Sequence, residues 1–77
     1  MSPATLNIFE IDAIVSRGLG KKHGESIEDA ARRALQEGSL ATLPKRRAAT
    51  ILMRRDLDVW DRMRLAAEVF QERGPRK

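Results

Sequence analysis

The sequence predicts an all-α protein of three to four short helices, at about residues 8–17, 27–37, 44–55 and 58–72, forming one small domain over 1–77. Three observations predict it. Apolar residues recur at spacings of three and four in each segment. Residues suited to helix starts stand ahead of them, namely Asn7, Ser26, Pro44 and the acids Asp56 and Asp58. Glycines separate them, at positions 18, 20, 24 and 38.

The first helix opens on a capping box, with Asn7 as N-cap and Glu10 placed to reach back to it. Leu6 and Ile11 fall at the two positions of a hydrophobic staple. Ile8, Ile11, Ile14, Val15 and Leu19 follow at helical spacing. Gly18 is the expected left-handed residue that stops the helix, with Gly20 behind it. The glycines make the stretch from Leu19 to Glu25 a loop, and His23 is an exposed residue of that loop.

Ser26 caps the second helix, and Glu28 and Asp29 lie in its first turn, where the helix dipole favours acids. Ile27, Ala30, Ala31, Ala34 and Leu35 form a narrow apolar stripe whose small side chains let another backbone approach closely. Gly38 ends this helix. After a turn from Ser39 to Leu43, Pro44 opens the third helix, at a position where its missing N–H is harmless.

At about 100° per residue, Ala48, Ala49, Leu52 and Met53 share one face of the third helix. Arg47, Thr50 and Arg54 line the opposite one. The same phase carries Val59, Trp60, Met63, Ala66, Ala67 and Phe70 onto the apolar side, interrupted at Asp56. A buried unpaired carboxylate is costly. Either one helix of about 40 Å runs through it, or the chain breaks and restarts with an aspartate cap. Asp56, Asp58 and Asp61 resemble the acids of a new helix start, so a break is expected. Residues 73–77 are expected to form a frayed basic tail.

A chain of 77 residues buries only about 60–65% of its extended surface and is marginal alone. It has no cysteine and one histidine, which excludes disulfides, thiolate metal sites and a histidine ligand cluster. No metal or other cofactor is expected. Self-association is the remaining source of stability, so a homodimer is expected, with Trp60, Met63, Ala67 and Phe70 as its seam. The absence of long apolar runs predicts no membrane contact, and the lack of an apolar leader and of cysteine predicts a cytoplasmic protein.

Charge is distributed very unevenly. Residues 1–44 carry five Lys/Arg against six acids, and residues 56–77 carry five against five. The eleven residues between them carry Lys45, Arg46, Arg47, Arg54 and Arg55 and no acid, so the net charge of +4 is a local property. Local positive charge is what an anionic partner reads. Lys45 and Arg46 lie in the first turn of their helix, where cations oppose the dipole but strengthen a phosphate site. These residues, with Thr50, are the candidate nucleic-acid surface. The order of the second and third helices fits a helix-turn-helix, although the connection from Gly38 to Leu43 is longer than that motif uses.

No arrangement of nucleophile, base and acid is apparent, and no enzyme is expected. The expected role is a small, non-enzymatic DNA-binding or transcription-regulatory protein of bacterial or phage type. The rival is a protein-binding adaptor or inhibitor of the phage or plasmid accessory kind, using the Trp60, Met63 and Phe70 cluster.

A family resemblance covers residues 4–38. It is carried by Ala4-Thr5-Leu6-Asn7-Ile8-Phe9 ahead of a helix, the Lys21-Lys22-His23-Gly24 turn, and Gly24-Glu25-Ser26 through Arg32-Arg33-Ala34-Leu35. These features resemble ribbon-helix-helix regulators and antitoxins. The resemblance implies an N-terminal strand paired in a β-ribbon of an obligate dimer. Thr5 and Asn7 would then face the DNA major groove, and the second helix would clamp a phosphate at its start. The cap and staple around Asn7 predict instead that residues 4–9 enter a helix.

Overall fold

The structure, a computed structural model, describes residues 6–71, and all its regular elements are helical. Helix α1 spans Ile8–Leu19, α2 Ile27–Glu37, α3 Leu43–Leu52 and α4 Val59–Gln71, with a short 3-10 turn at Gly38–Leu40. No strand occurs among the described residues. The expected end of α4 at residue 72, the tail 73–77 and Thr5 lie outside them.

The N-terminal strand implied by the resemblance has no counterpart where the chain is described. The Asn7 side chain accepts from the Glu10 N–H at 2.8 Å, and the Glu10 carboxylate accepts from the Asn7 N–H at 2.9 Å. Both bonds satisfy donors that a helix start otherwise leaves open. Ile11 is buried, and Leu6 is partly buried against the same core.

Gly18 does not stop α1 as expected. It stays helical, and Gly20 takes the left-handed conformation at φ 68°. The Gly20 N–H donates to the Arg17 carbonyl and the Lys21 N–H to the Ser16 carbonyl, a Schellman closure. Gly18 serves packing instead. A Cβ at this position would lie 2.5 Å from the Phe70 ring, so only glycine lets α4 lay that ring across α1.

Helix α3 is shorter than expected. It begins one residue early, capped by Thr42, whose carbonyl accepts from the Arg46 N–H at 3.0 Å, and it ends at Leu52. The chain then breaks as the acids foretold. Asp58 caps α4, its carboxylate accepting from the Asp61 N–H at 2.9 Å and its carbonyl from the Arg62 N–H at 3.0 Å. Asp56 is exposed in the turn and never reaches the core.

The break lets α4 pack against α3, while α2 packs on α3 and α1 closes over α4. Seven of the thirteen clustered core residues are alanines on α2, α3 and α4, which lets those backbones approach closely. Val15 and Leu19 of α1 are the largest fully buried side chains. Burying each contributes about 1.5–3 kcal/mol.

The apolar phase of α4 is confirmed at Met63, Ala66 and Ala67 and fails in its first turn. Val59 is exposed, and Trp60 remains 47% exposed. Trp60 lies about a quarter turn from the buried centre of the helix. On α2, Leu35 likewise points outward while Ala34 takes the core position. Met63 and Ala67 are buried within their own chain, and Phe70 is half-buried over Gly18. The four residues expected to form a dimer seam therefore do not make one exposed strip.

Candidate nucleic-acid interface

The acid-free segment does not stay free of acids once folded. Lys45, on the inner edge of α3, places its ammonium 3.4 Å from the Glu37 carboxylate of α2. Glu37 also lies 3.8 Å from Arg33. Arg33 grips Glu25 with two hydrogen bonds, of 3.0 and 2.7 Å, and donates to the Gly20 carbonyl at 3.1 Å. These four charges tie the loop after α1 to α2 and α3. The Arg33 bonds, with the Lys22 N–H, hold the Glu25 carboxyl well below its ordinary value of 4.5, at about 2. Lys45 thus belongs to a structural network.

Arg54 leaves the expected stripe in a similar way. It lies beyond the end of α3 and forms a two-pronged pair with Asp56, Nε donating at 2.9 Å. That pairing holds the Asp56 carboxyl below its ordinary range and raises the Arg54 guanidinium.

Arg46 is half-buried on the flank of α3, and its Nε is buried without a hydrogen-bond partner among the described residues. Arg47 and Thr50 are the members of the predicted set that stand exposed on α3 itself. The Thr50 hydroxyl donates to the Arg46 carbonyl at 2.9 Å, which leaves its oxygen able to accept. Leu43 lies one turn before Arg47 on the same outward stripe and is 60% exposed. The stripe that the sequence reads as Arg47, Thr50 and Arg54 is Leu43, Arg47 and Thr50 in the fold.

Arg55 is exposed and turns elsewhere. It lines a cleft of about 350 Å³ with Glu28, Arg32, Leu52, Met53 and Arg62, between the start of α2, the end of α3 and the start of α4. Linear reading missed this cluster. Its three arginines come from three segments, and Arg32 and Arg62 lie in stretches whose acids match or outnumber the basic residues. Each of the two has an acid three residues earlier or one before it, Asp29 and Asp61, which hides it in a count by segment.

Among the described residues no group of three or more His, Cys, Asp or Glu side chains is arranged to hold a metal ion. No described helix is long and apolar enough to cross a membrane. No protein-family model matches the chain, and comparison with curated proteins and with solved structures found no match.

Proposed function

We propose that this chain is a non-enzymatic, cytoplasmic DNA-binding regulatory protein that meets the duplex with the outward stripe of α3. The observation that carries the reading is the exposure of Arg47 and Thr50 on a helix whose other side is locked into the core by Ala48, Ala49 and Leu52. A guanidinium pairs with phosphate or with guanine, and the Thr50 oxygen, whose O–H is given to the Arg46 carbonyl, can accept from a base amino group. The order of α2 and α3, joined through the turn at Gly38–Leu40, supports the same use of the second helix. A homodimer belongs to this reading because two copies would present two such helices to one duplex. Light scattering that finds a monomer at micromolar concentration removes that part alone.

The test is fluorescence anisotropy of a labelled duplex at several salt concentrations. Affinity should fall steeply with salt, by a slope of about 0.9 per phosphate neutralised. Arg47→Ala should lower that slope by about one. Lys45→Ala should lower the melting temperature more than the slope, because its ammonium is engaged by Glu37. No binding at low salt overturns the reading.

One observation favours a second reading, a protein-binding adaptor or inhibitor. Leu40 is 87% exposed, and Leu43 and Leu35 are exposed on either side of it. Exposed leucines grouped along one connection suit a protein contact. In that case binding to the partner is insensitive to salt, and Leu40→Ala weakens it.

A further inference from the structure

The cleft that holds Arg55 adjoins a second hollow of about 300 Å³, lined by Ser26, Ile27, Val59 and Met63 and sharing Glu28, Leu52 and Arg62 with it. The two form one trough, cationic at one end and apolar at the other. Three arginines face a single carboxylate, Glu28, so the lining carries an excess of positive charge.

Arg62 is aimed by the backbone. Its Nε donates to the Leu57 carbonyl at 2.8 Å and its Nη1 to the Leu52 carbonyl at 3.4 Å. Glu28 approaches Nη1 only to 3.9 Å, and no hydrogen bond among the described residues engages Nη2. A guanidinium has five N–H donors, so Arg62 retains donors for an incoming anion. Arg32 is held by Asp29 at 2.6 Å, and Arg55 makes no ion pair among the described residues. Leu52, Met53, Ile27, Val59 and Met63 supply an apolar lining that a bare phosphate chain does not use.

We propose that this trough is a docking site for an acidic peptide segment of a partner protein, with a carboxylate between Arg55 and Arg62 and a neighbouring apolar side chain against Ile27, Val59 and Met63. Charge complementarity selects the acid, and the adjoining hollow selects the apolar neighbour. The site is independent of the DNA reading, since neither Arg47 nor Thr50 lines it.

The probe is a labelled short peptide of alternating glutamate and leucine, titrated with the full chain. It should bind, and replacing its leucines with glycine should weaken binding about tenfold or more. Arg55→Ala, at an exposed position, should keep the wild-type circular dichroism and melting temperature while weakening the peptide about tenfold. The salt slope for duplex DNA should not change in this variant. No binding of the peptide at millimolar concentration overturns the proposal, as does a peptide affinity indifferent to Arg55 or to the leucines. A fall of about one in the DNA slope overturns it differently, by assigning Arg55 to the DNA surface.

Discussion

Gly18 shows how one residue sets a packing distance. Alanine there would place its Cβ 2.5 Å from the Cγ of Phe70, an atom too close to the α4 backbone to swing aside cheaply. Overpacking of this kind costs about 1–3 kcal/mol, against about 0.5–1 kcal/mol gained in helix propensity. Gly18→Ala should therefore lower stability to urea, and in a Phe70→Ala background, which removes the clashing Cγ and Cδ atoms, the loss should shrink. The Glu25–Arg33 pair makes a residue-scale prediction in pH. Its folded carboxyl titrates at about 2, below the ordinary 4.5, so its contribution is complete above the ordinary value and is lost as pH falls toward the lower one. Thermal melts of wild type and Glu25→Gln should differ at neutral pH and converge near pH 2.

Among the elements, the break between α3 and α4 decides the arrangement. Asp58 stabilises it by accepting from the Asp61 N–H, and replacing such a cap with alanine costs about 0.5–2 kcal/mol. Asp58→Ala should lower the urea midpoint, whereas Asp58→Asn, which keeps the acceptor, should stay near wild type. The capping signals of α1, α2 and α4 were legible in sequence because each is written in residues three apart. Thr42 was hidden by Pro44 behind it, which draws the helix start onto itself. The end of α3 was also hidden, since Met53, Arg54 and Arg55 are acceptable helix residues. They leave the helix because Asp56 draws Arg54 into the turn and Asp58 starts the next one.

Across the whole molecule, the four helices close a core within one chain. Met63→Ala should cost about 2–5 kcal/mol, as for a buried methionine. Trp60→Ala should cost less than the roughly 3–5 kcal/mol of a buried aromatic, because Trp60 is 47% exposed. Chemical denaturation of the two variants gives the comparison, and a larger loss at Trp60 than at Met63 would show that a partner surface covers it. Charge behaves at the same scale. The excess at residues 45–55 is partly neutralised by Glu37 and Asp56, so the basic surface is smaller than the count implies.

The sequence by itself determined the helical class, three to four short elements, the N-caps of α1, α2 and α4, and most core positions of α1, α2 and α3, Ile8 and Leu35 being the ones that stay exposed. Those features follow from spacing along one chain, where local hydrogen bonds and a 3.6-residue period are the governing physics. Tertiary structure alone decided which basic residues are exposed and which apolar ones stay outside. Lys45 met Glu37 only when α2 packed on α3, and Arg55 joined Arg32 and Arg62 only when three segments converged. Gly18 changed from a stop to a close-packing site because Phe70, fifty-two positions later, came to rest against it. Ion pairs and clefts depend on distances through space, and a sequence records only distances along the chain.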